Sequence, residues 1–315
     1  MKKFVCLGGG IGTVNLIKGL KHYSSDITVI VSAADNGGSA GRLRRLFHIF
    51  PPGDAISCLA ALMPEEDEKF GKLLTYRFPG NRYGSDNKLS GQKLGNLLFV
   101  GAKEITGSVE DGLILLEDLF RTSGKVLPAT TDALTLSALT VDDLRVEGEQ
   151  TIDLGKYKGK RILDRVMIHP DDPKVPQTVL SAISKADVLI AGPGDLYTTI
   201  LPVLLIPAIK KALISSTAKK IYIVNVANKP FETKGYAIDD YIASITKHLG
   251  TFPFETVIAN NDVSIPIPRK YKYKYVLQGG GGHAPYKLLL ADLVDKDFPL
   301  YHEPKKLARC VVKTI

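Results

Sequence analysis

The sequence predicts an α/β fold with a Rossmann-like, doubly wound and mainly parallel sheet and a less regular middle region. Short apolar runs alternate with helical patterns at the start of the chain and again in its second half. A glycine-rich turn follows a strand twice, at residues 8–13 and at residues 192–199. The succession of strand, glycine turn and helix is typical of parallel sheets that bind ligands at their strand ends.

The first glycine turn follows an apolar run at residues 4–7 and precedes a helical pattern that begins at Val14. Glycine at such a turn lets an anion reach backbone N–H groups at the positive end of a helix. The functional interpretation is a cradle for a nucleotide phosphate. The alternative is a tight turn that only packs the strand against the helix.

Two standard phosphate-binding motifs do not fit this turn. A P-loop requires a lysine before its final Ser or Thr, and Gly12-Thr13 lacks it. A dinucleotide fingerprint requires glycine where Thr13 stands and an acid after the second strand, Ile27–Val31, which is followed by Ser32-Ala33-Ala34. NAD binding and ATP hydrolysis are therefore disfavoured, and another phosphorylated ligand is expected.

The following elements complete the predicted order. A glycine-rich loop at residues 35–39 precedes Arg42, Arg44 and Arg45, which could neutralise phosphates or simply lie on a solvated surface. Asp54 is predicted to be the N-cap of a helix that ends at Met63. Further helices are predicted from residue 90 onward and at 109–121, 175–185, 238–249 and after 304; further strands at 134–141, 150–154, 187–191, 220–226 and 255–259.

Three weaker patterns indicate irregular structure or a sheet edge. Residues 79–88 are polar and contain glycine, which predicts a loop. Basic residues alternate with tyrosines at 269–275, which favours an edge strand. The glycine run at 279–282, followed by His283, predicts a flexible loop. We expect a single domain, 1–315, with a cap region at about 79–160 and a C-terminal extension, 262–315, packed on the core.

Composition indicates a cytoplasmic protein. The 44% hydrophobic content suffices for a sizeable core, and the three cysteines show no paired or metal-ligand spacing. No convincing signal peptide is present, and the longest apolar stretch, residues 200–209, is interrupted by two prolines. The net charge of +8 is consistent with an acidic ligand, but basic residues are spread along the chain. We therefore expect neither a nucleic-acid partner nor membrane insertion.

These motifs, in this order, resemble the gluconeogenesis-factor branch of the phospholactate transferase superfamily, the CofD-like proteins. The resemblance covers nearly the whole chain and rests on these segments: the opening glycine turn, 35–39, 41–44, 51–54, 95–97, 192–194, 196–198, Asn225, 232–233 and 302–304. It implies a Rossmann-like core that holds a nucleotide across the strand ends. The transferase branch moves a phospholactyl group from a guanosine diphosphate carrier to a deazaflavin precursor. The gluconeogenesis-factor branch is associated with uridine-diphosphate sugars and with growth and cell shape on gluconeogenic carbon sources.

The chain departs from the family pattern mainly at polar side chains. Residues that replace the usual family residue are Asn36 for aspartate, Ile56 for arginine, Gln92-Lys93 for His-Ser, Asp195 for serine, Val203 for asparagine, Phe231 for glycine and Tyr301 for arginine. The backbone cradle should survive these changes, whereas the chemistry is expected to differ. Asp195 is predicted to cap a helix, and Lys93 to offset Asp195 or contact a phosphate.

The predicted site combines these segments. The candidate catalytic residue is Asp35, and the candidate ligand-binding residues are Gly9, Gly10, Ile11, Gly12, Thr13, Asp35, Asn36, Gly37, Gly38, Ser39, Arg42, Lys93, Asn96, Gly192, Gly194, Asp195, Leu196, Tyr197, Asn225 and Asn228. Neither a metal ligand set nor a required cofactor is predicted. Because Asn36 replaces a second carboxylate, Asp35 could hold Mg²⁺ only weakly.

Three functions remain open from the sequence. The leading prediction is a regulatory protein that binds a nucleotide-diphosphate sugar of the uridine type and is linked to central carbon metabolism and cell morphology. The first alternative is a phospholactate transferase-like enzyme that moves a phospho-group from a nucleotide diphosphate carrier to a deazaflavin-type acceptor. The second is a morphogenesis scaffold with a vestigial pocket. A homodimer would be an ordinary assembly for such a sheet protein.

Overall fold

A computed structural model describes residues 1–83, 89–279 and 286–315. Its strands are β1 (Phe4–Gly8), β2 (Ile27–Val31), β3 (Lys125–Pro128), β4 (Thr135–Thr140), β5 (Arg145–Glu147), β6 (Leu163–His169), β7 (Val188–Ala191), β8 (Lys219–Ile223), β9 (Ala227–Asn228), β10 (Thr256–Asn260), β11 (Lys274–Tyr275) and β12 (Lys287–Ala291).

The helices lie between these strands and after the last one. They are α1 (Gly10–Leu20), α2 (Gly38–Phe47), α3 (Pro52–Leu62), α4 (Glu68–Thr75), α5 (Leu94–Thr106), α6 (Val109–Leu119), α7 (Glu149–Asp153), α8 (Gln177–Lys185), α9 (Leu201–Leu204), α10 (Pro207–Ser215), α11 (Ile238–Leu249) and α12 (Pro304–Val312). A turn of π-helix, Leu196–Ile200, precedes α9, and short 3₁₀ turns cover Glu65–Asp67 and Arg269–Tyr271.

The central sheet confirms the predicted fold class. In the described part of the chain it has seven strands in the order β12-β10-β8-β7-β1-β2-β3, and each pair is parallel. The chain runs from β1 to β2 in one direction and from β7 to β8 in the other, so the strand order reverses between β1 and β7. Right-handed connections then place α1 and α9 on opposite faces of the sheet. Ligands of such sheets bind at this reversal, beyond the carboxyl ends of the strands.

The strands nearest the reversal are fully buried. Every residue of β1, β2 and β7 is buried, as expected for parallel strands covered by helices on both faces. Helix α1 packs against α3 and α12, while α9 contacts β1, α10 and α11. The continuous apolar runs that predicted β1 and β2 therefore report burial on both faces.

A second, smaller sheet differs from the sequence-based prediction. Strands β5, β4 and β6 form an antiparallel sheet, and β5 and β6 were not predicted. Residues 150–154, predicted as a strand, belong instead to α7 and the residue after it. Five residues are too few for helical and strand periods to be told apart. A tertiary contact stabilises the helix: the side-chain oxygen of Asn36 accepts a 2.9 Å hydrogen bond from the N–H of Gln150 in the first turn of α7.

Two edge strands of the central sheet were also missed. Strand β3 pairs with β2 inside the predicted cap region, 79–160. Strand β12 pairs with β10 inside the predicted extension, 262–315, whose last helix, α12, packs on α1. The predicted edge strand at 269–275 is a 3₁₀ turn followed by the two-residue strand β11, which pairs with β9.

Parts of two predicted loops lie outside the described residues. They are residues 84–88 of the loop at 79–88, and residues 280–285, which include His283 and most of the preceding glycine run. No single helix in the described ranges has the length and apolar character needed to cross a membrane, although the bent pair Leu196–Leu204 and Pro207–Ser215 would satisfy both criteria together.

Candidate functional site

One cavity of about 620 Å³ lies at the carboxyl ends of the central strands. The structure brings the two glycine turns, the loop after β2 and the residues after β8 around it. Predicted site residues that line it are Gly9, Gly10, Ile11, Gly12, Asp35, Gly37, Gly38, Ser39, Lys93, Gly194, Asp195 and Asn225. The expected position at the strand-order reversal is therefore where the cavity is found.

The two glycine turns pack directly against each other. The Thr13 hydroxyl accepts a 3.0 Å hydrogen bond from the N–H of Gly9 and donates a 3.3 Å bond to the carbonyl oxygen of Pro193. A Cβ atom on Gly12 would lie 2.5 Å from that same carbonyl oxygen. Only glycine at position 12 therefore allows the close approach, and the packing role considered for this turn is real.

Gly10 has a different reason to be glycine. Its φ of +67° is in the left-handed region, and a Cβ built on it would meet no atom within 4 Å. A side chain there would extend into the cavity instead of into the protein. Helix α1 begins at Gly10 without a side-chain cap. Its first-turn N–H groups, with the positive end of the helix, thus form one wall of the cavity.

Asp54 lies beneath the first glycine turn, which the sequence did not predict. Helix α3 begins at Pro52 with Pro51 as its N-cap, so the predicted capping role of Asp54 is wrong. Its carboxylate accepts a hydrogen bond from the N–H of Gly10 and occupies the place that a Cβ on Gly9 would need. Burial raises the pKa of Asp54, and the nearby ammonium of Lys93 opposes that shift.

Backbone N–H groups of the second glycine turn already donate hydrogen bonds to side chains of the protein. The N–H of Gly194 donates to the side chain of Asn225 at 2.9 Å, and the N–H groups of Tyr197 and Thr198 donate to the buried carboxylate of Glu232 at 3.1 and 3.3 Å. These amides are therefore not available to a ligand in this conformation. Asp195 occupies the N-cap position without a capping hydrogen bond, so the prediction that its side chain caps the helix is wrong.

A second helix N-terminus is open to the cavity and offers backbone N–H groups in place of those of the second glycine turn. Helix α2 begins at Gly38 after Gly37, again without a side-chain cap, and its first residues line the cavity. The guanidinium of Arg77 donates a 3.1 Å hydrogen bond to the Ser39 hydroxyl beside them. Two helix N-termini and a neighbouring cation therefore face one space, which is the arrangement that binds phosphate groups.

Lys93 is buried near the first turn and not near Asp195. Its ammonium donates to the carbonyl oxygen of Gly53 at 2.9 Å and to the Ser57 hydroxyl at 2.5 Å. Burial lowers the pKa of Lys93, while the carboxylate of Asp54 opposes that change. The prediction that Lys93 offsets Asp195 is wrong, because that role belongs to Lys229.

Lys229 lies at the centre of a partly buried charge cluster, in which Glu232 is the fully buried member. Its ammonium contacts Asp153, lies 2.6 Å from Asp195 and lies 3.2 Å from Glu232. One oxygen of each acid lies within 4.8 Å of the others. Burial alone would lower the pKa of Lys229, but the three carboxylates hold it well above its ordinary value. The cluster joins α7 to the second glycine turn.

Asp35 is a carboxyl group without a cation in direct contact among the described residues. Its side chain accepts a 2.8 Å hydrogen bond from the N–H of Gly37. Burial raises its pKa to about 6, and the nearby Asp54 carboxylate adds to the shift. Burial, reinforced by Asp35, also raises the pKa of Glu149 across the cavity. A carboxyl group that titrates near neutral pH in a cavity can accept a proton from a bound group.

Other predicted residues have structural contacts outside the cavity lining. The guanidinium of Arg42 donates to the carbonyl oxygens of Arg82 and Ser90 and supports that loop. The amide of Asn36 caps α7, so it faces away from Asp35. The remaining predicted residues that do not line the cavity are Thr13, Asn96, Gly192, Leu196, Tyr197 and Asn228. Tyr197, for example, points its hydroxyl to Tyr236 and Ser244, at 2.8 and 3.0 Å.

Several charged lining residues were missed by sequence reasoning: Asp54, Arg77, Arg82, Glu149, Asp153 and Lys229. Asp54 belongs to the Pro-Pro-Gly-Asp motif, so its motif was recognised but its role was assigned wrongly. The others carry no local signal, because decisive contacts join distant parts of the sequence: Arg77 meets Ser39 across 38 residues, and Lys229 meets Asp153 across 76.

Replacing Asp35 with asparagine should raise stability at alkaline pH. The folded-state pKa, about 6, exceeds the ordinary 3.8, so the folded protein binds more protons than the unfolded chain between these values. The stabilisation that protonated Asp35 gives the fold is complete below pH 3.8, and it is lost as the pH rises through about 6. At about pH 8 we expect Asp35→Asn to gain roughly 2 kcal/mol in the free energy of unfolding.

Urea unfolding measured from about pH 4 to about pH 8 tests this expectation. Asparagine can still accept the hydrogen bond from Gly37, so the loop should keep its conformation. The exposed Asp297→Asn is the matched control and should leave the pH dependence of stability unchanged. An Asp35→Asn profile parallel to that of the natural protein would contradict a raised pKa.

Comparisons with known proteins agree with the fold and the motifs. The family described as 2-phospho-L-lactate transferase CofD matches residues 4–285. A gluconeogenesis factor from Bacillus subtilis (strain 168) is 41% identical over 273 residues, which are 86% of this chain and 82% of that protein. A relative from Deinococcus radiodurans is 34% identical over 99% of this chain, which spans 65% of that relative's length.

A solved structure is similar over the whole described fold. The crystal structure of a UPF0052 family member from Bacillus halodurans matches with a TM-score of 0.87 at 34% identity, covering 99% of this chain and 98% of that one. The family match includes both glycine turns and the loop after β2, the segments that surround the cavity. The chain therefore belongs to the CofD family, in its gluconeogenesis-factor branch.

Proposed function

We propose that the cavity binds a nucleotide-diphosphate sugar, of the uridine-diphosphate type, and that the protein is a regulator of the gluconeogenesis-factor type. In this proposal the protein acts in the cytoplasm and links central carbon metabolism to cell morphology. The observation that carries the proposal is the convergence of the α1 and α2 N-termini on one cavity. The gluconeogenesis-factor name of the Bacillus subtilis relative supports the metabolic assignment.

The proposed diphosphate position is between these two helix N-termini. Backbone N–H groups at Ile11, Gly12 and Ser39 would donate to its oxygens, and the macrodipoles of both helices favour its negative charge. Lys93 and Arg77 also line this end of the cavity. The volume of about 620 Å³ lies within the usual range of small-ligand sites. A retained, open cavity favours a binding protein over a scaffold with a vestigial pocket.

The rest of the ligand would extend along the aromatic part of the cavity lining, which comprises Phe231, Tyr271, Tyr273 and Tyr301. Tyr83 also lines the cavity, but its ring lies 3.5 Å from the place that a Cβ on Gly38 would take, beside the proposed diphosphate position. Aromatic faces suit a nucleobase or the apolar face of a sugar ring. Two of the seven family departures, Phe231 and Tyr301, are found here, so ligand preference in this chain is expected to differ from that of its relatives.

A transferase is the second candidate, and Asp35 is the observation that favours it. Its carboxyl group has a pKa near 6 and lines the cavity beside the proposed diphosphate position. Such a group could take a proton from an attacking hydroxyl, while the helix N-termini stabilise charge on the transferred group. The acceptor hydroxyl would attack the distal phosphorus of the carrier and the bond between the two phosphates would break. The products would be a nucleoside monophosphate and an acceptor that carries the distal phospho-group, and chromatography detects both.

A thermal-shift panel tests the proposal directly. Uridine, guanosine and adenosine diphosphates and their sugar derivatives should be compared at equal concentration. A ligand present at about 100 times its Kd adds about 2.7 kcal/mol to stability, which raises Tm by several degrees for a domain of this size. We expect the uridine-diphosphate sugars to give the largest shift. Equal, negligible shifts for all ligands would refute the proposal, and turnover in the same samples would favour the transferase.

Ligand affinity should depend little on magnesium. Two helix N-termini, Lys93 and Arg77 line the cavity near the proposed diphosphate position. The protein itself would therefore neutralise the negative charge of the diphosphate. We expect calorimetric affinities in magnesium and in chelator to agree within about threefold, less than 1 kcal/mol. Ligand affinity of the variant Asn36→Asp should depend equally little on magnesium, because the side chain of residue 36 contacts Gln150. A strong magnesium requirement would instead favour metal-assisted transfer.

A further inference from the structure

Two short basic segments concentrate the positive charge of the chain. The first basic segment, residues 156–161, reads Lys-Tyr-Lys-Gly-Lys-Arg, and the second, residues 269–274, reads Arg-Lys-Tyr-Lys-Tyr-Lys. Each contains four cations and no acid, so together they equal the net charge of +8 of the whole protein. Other basic residues are spread along the chain, but outside these two segments cations and acids are equal in number, 33 of each.

The cations of both segments are available to a partner. All eight are exposed, and none forms a salt bridge with a described residue. The half-buried Lys229, by contrast, is compensated by neighbouring carboxylates. Uncompensated cations so close in sequence repel one another, and a polyanion would relieve that repulsion.

Both segments lie at the mouth of the cavity. Tyr271, Lys272 and Tyr273 of the second segment line it. The first segment reaches it through two aromatic contacts: the ammonium of Lys156 lies 6.0 Å from the centre of the Tyr83 ring, and the guanidinium of Arg161 lies 5.2 Å from that of Phe231. Tyr83 and Phe231 also line the cavity. The two segments thus form a basic collar around its entrance.

Exposed aromatic rings accompany the charges. Tyr271 is 42% exposed with the ammonium of Lys270 5.0 Å from its ring centre, and Tyr83 is equally exposed between Arg82 and Lys156. Cations that neutralise phosphates, together with aromatic faces on which bases stack, are the two features shared by proteins that bind single-stranded nucleic acid.

We propose that the basic collar, residues 156–161 and 269–274, binds single-stranded nucleic acid across the entrance of the cavity. A membrane surface fits less well, because interfacial binding commonly uses an amphipathic helix with an apolar face. The collar contains only a three-residue 3₁₀ turn and otherwise irregular or extended backbone. The alternation of tyrosine and cation suits a strand in which phosphates and bases also alternate.

This inference goes beyond the proposed function and does not require a nucleotide sugar in the cavity. Ligand entry and nucleic-acid binding would share one opening, so each should reduce the affinity of the other. The affinity of the collar for nucleic acid would thereby depend on whether a ligand occupies the cavity. Gly10→Val places a side chain only at the proposed diphosphate position, away from the collar, and so separates the two sites experimentally.

Fluorescence anisotropy with labelled single strands of about 12 nucleotides, uridine RNA and thymidine DNA, tests the inference. The collar variant replaces Lys158, Lys160, Lys270 and Lys274 with glutamine. We expect at least a tenfold loss of affinity for the strand. The slope of log K against log salt should fall by roughly 3, about 0.7 for each lost phosphate contact. Gly10→Val should bind the strand within about twofold of the natural protein.

The matched control removes the same charge elsewhere. Lys69, Lys125, Lys185 and Lys211 are exposed, lie outside the collar, and are likewise replaced with glutamine. An equal loss of affinity in this control would overturn the inference, since net charge alone would explain binding. Three further results would also overturn it: undetectable binding of either strand, loss of strand binding in Gly10→Val, or collar-dependent binding to anionic phospholipid vesicles with none to nucleic acid.

Discussion

Gly10→Val is expected to abolish the thermal shift produced by the nucleotide sugar that stabilises the natural protein most. The side chain would project into the cavity where the proposed diphosphate lies, because a Cβ at this position has no protein atom within 4 Å. We expect at least a 100-fold loss of affinity, about 2.7 kcal/mol or more. The protein should still fold, since valine would not collide with the core.

Valine at this position also carries a conformational penalty. The φ of +67° is unfavourable for a residue with a Cβ by about 1–2 kcal/mol. Gly250→Val provides the matched control, because Gly250 ends α11 with a φ of +77° and likewise has open space around its Cβ position. It should lose similar stability while keeping the full ligand-induced shift.

The comparison separates the two interpretations of the first glycine turn. If Gly10→Val binds ligand as well as Gly250→Val does, the turn serves packing alone and the diphosphate position is wrong. Gly12→Ala should behave differently from both, because its Cβ would lie 2.5 Å from the carbonyl oxygen of Pro193. There we expect lost stability as well as lost binding.

Lys229→Met is expected to be among the most destabilising single substitutions in the protein. It removes the cation from a cluster in which Asp153, Asp195 and Glu232 surround one ammonium. Removing one partner of a buried ion pair usually costs 3–5 kcal/mol because a buried charge is left uncompensated. The Asp195 side chain is 38% exposed and is partly screened by solvent. We therefore expect about 3 kcal/mol at about pH 8.

The loss should shrink as the pH falls. Burial raises the pKa of Glu232 to about 7 in the natural protein, even though Lys229 opposes that shift. Without Lys229 the folded-state pKa of this carboxyl rises further above its ordinary 4.5. An acid whose folded-state pKa is raised stabilises the fold below its unfolded pKa and loses that contribution as pH rises through the folded value. The deficit of Lys229→Met should therefore be largest above neutral pH and smaller near pH 5.

Chemical unfolding followed by circular dichroism at about pH 8 and about pH 5 measures both effects. Lys72→Met is the matched control, because Lys72 pairs with Glu68 at 2.8 Å and both side chains are 71% exposed. An exposed pair of this kind contributes little to stability, because water screens its charges. Adding Asp195→Ser to Lys229→Met should recover part of the lost stability. A Lys229→Met protein as stable as Lys72→Met at alkaline pH would show that the cluster is not energetically coupled.

The sequence alone determined the fold class and much of the element order. Strand β2 and helix α11 were predicted with the observed bounds, Ile27–Val31 and Ile238–Leu249. Continuous apolar runs and a period of 3.6 residues report burial over a few turns of chain, so they can be recognised locally. The edge strands β3 and β12 have exposed or half-buried positions. The apolar run of β12, residues 288–291, was missed because no glycine turn and helix follow it, as they do after β1.

The first glycine turn was also determined locally, since one strand, one turn and one helix build it. The tertiary structure decided the charges of the site. Lys229 meets Asp153 across 76 residues of sequence, and Asn36 meets Gln150 across 114. Distant contacts also engage the second turn's amides, which donate to Asn225 and Glu232 instead of facing a ligand. Sequence patterns describe which residues are buried, whereas the partner of a buried polar group depends on where distant segments of the chain meet.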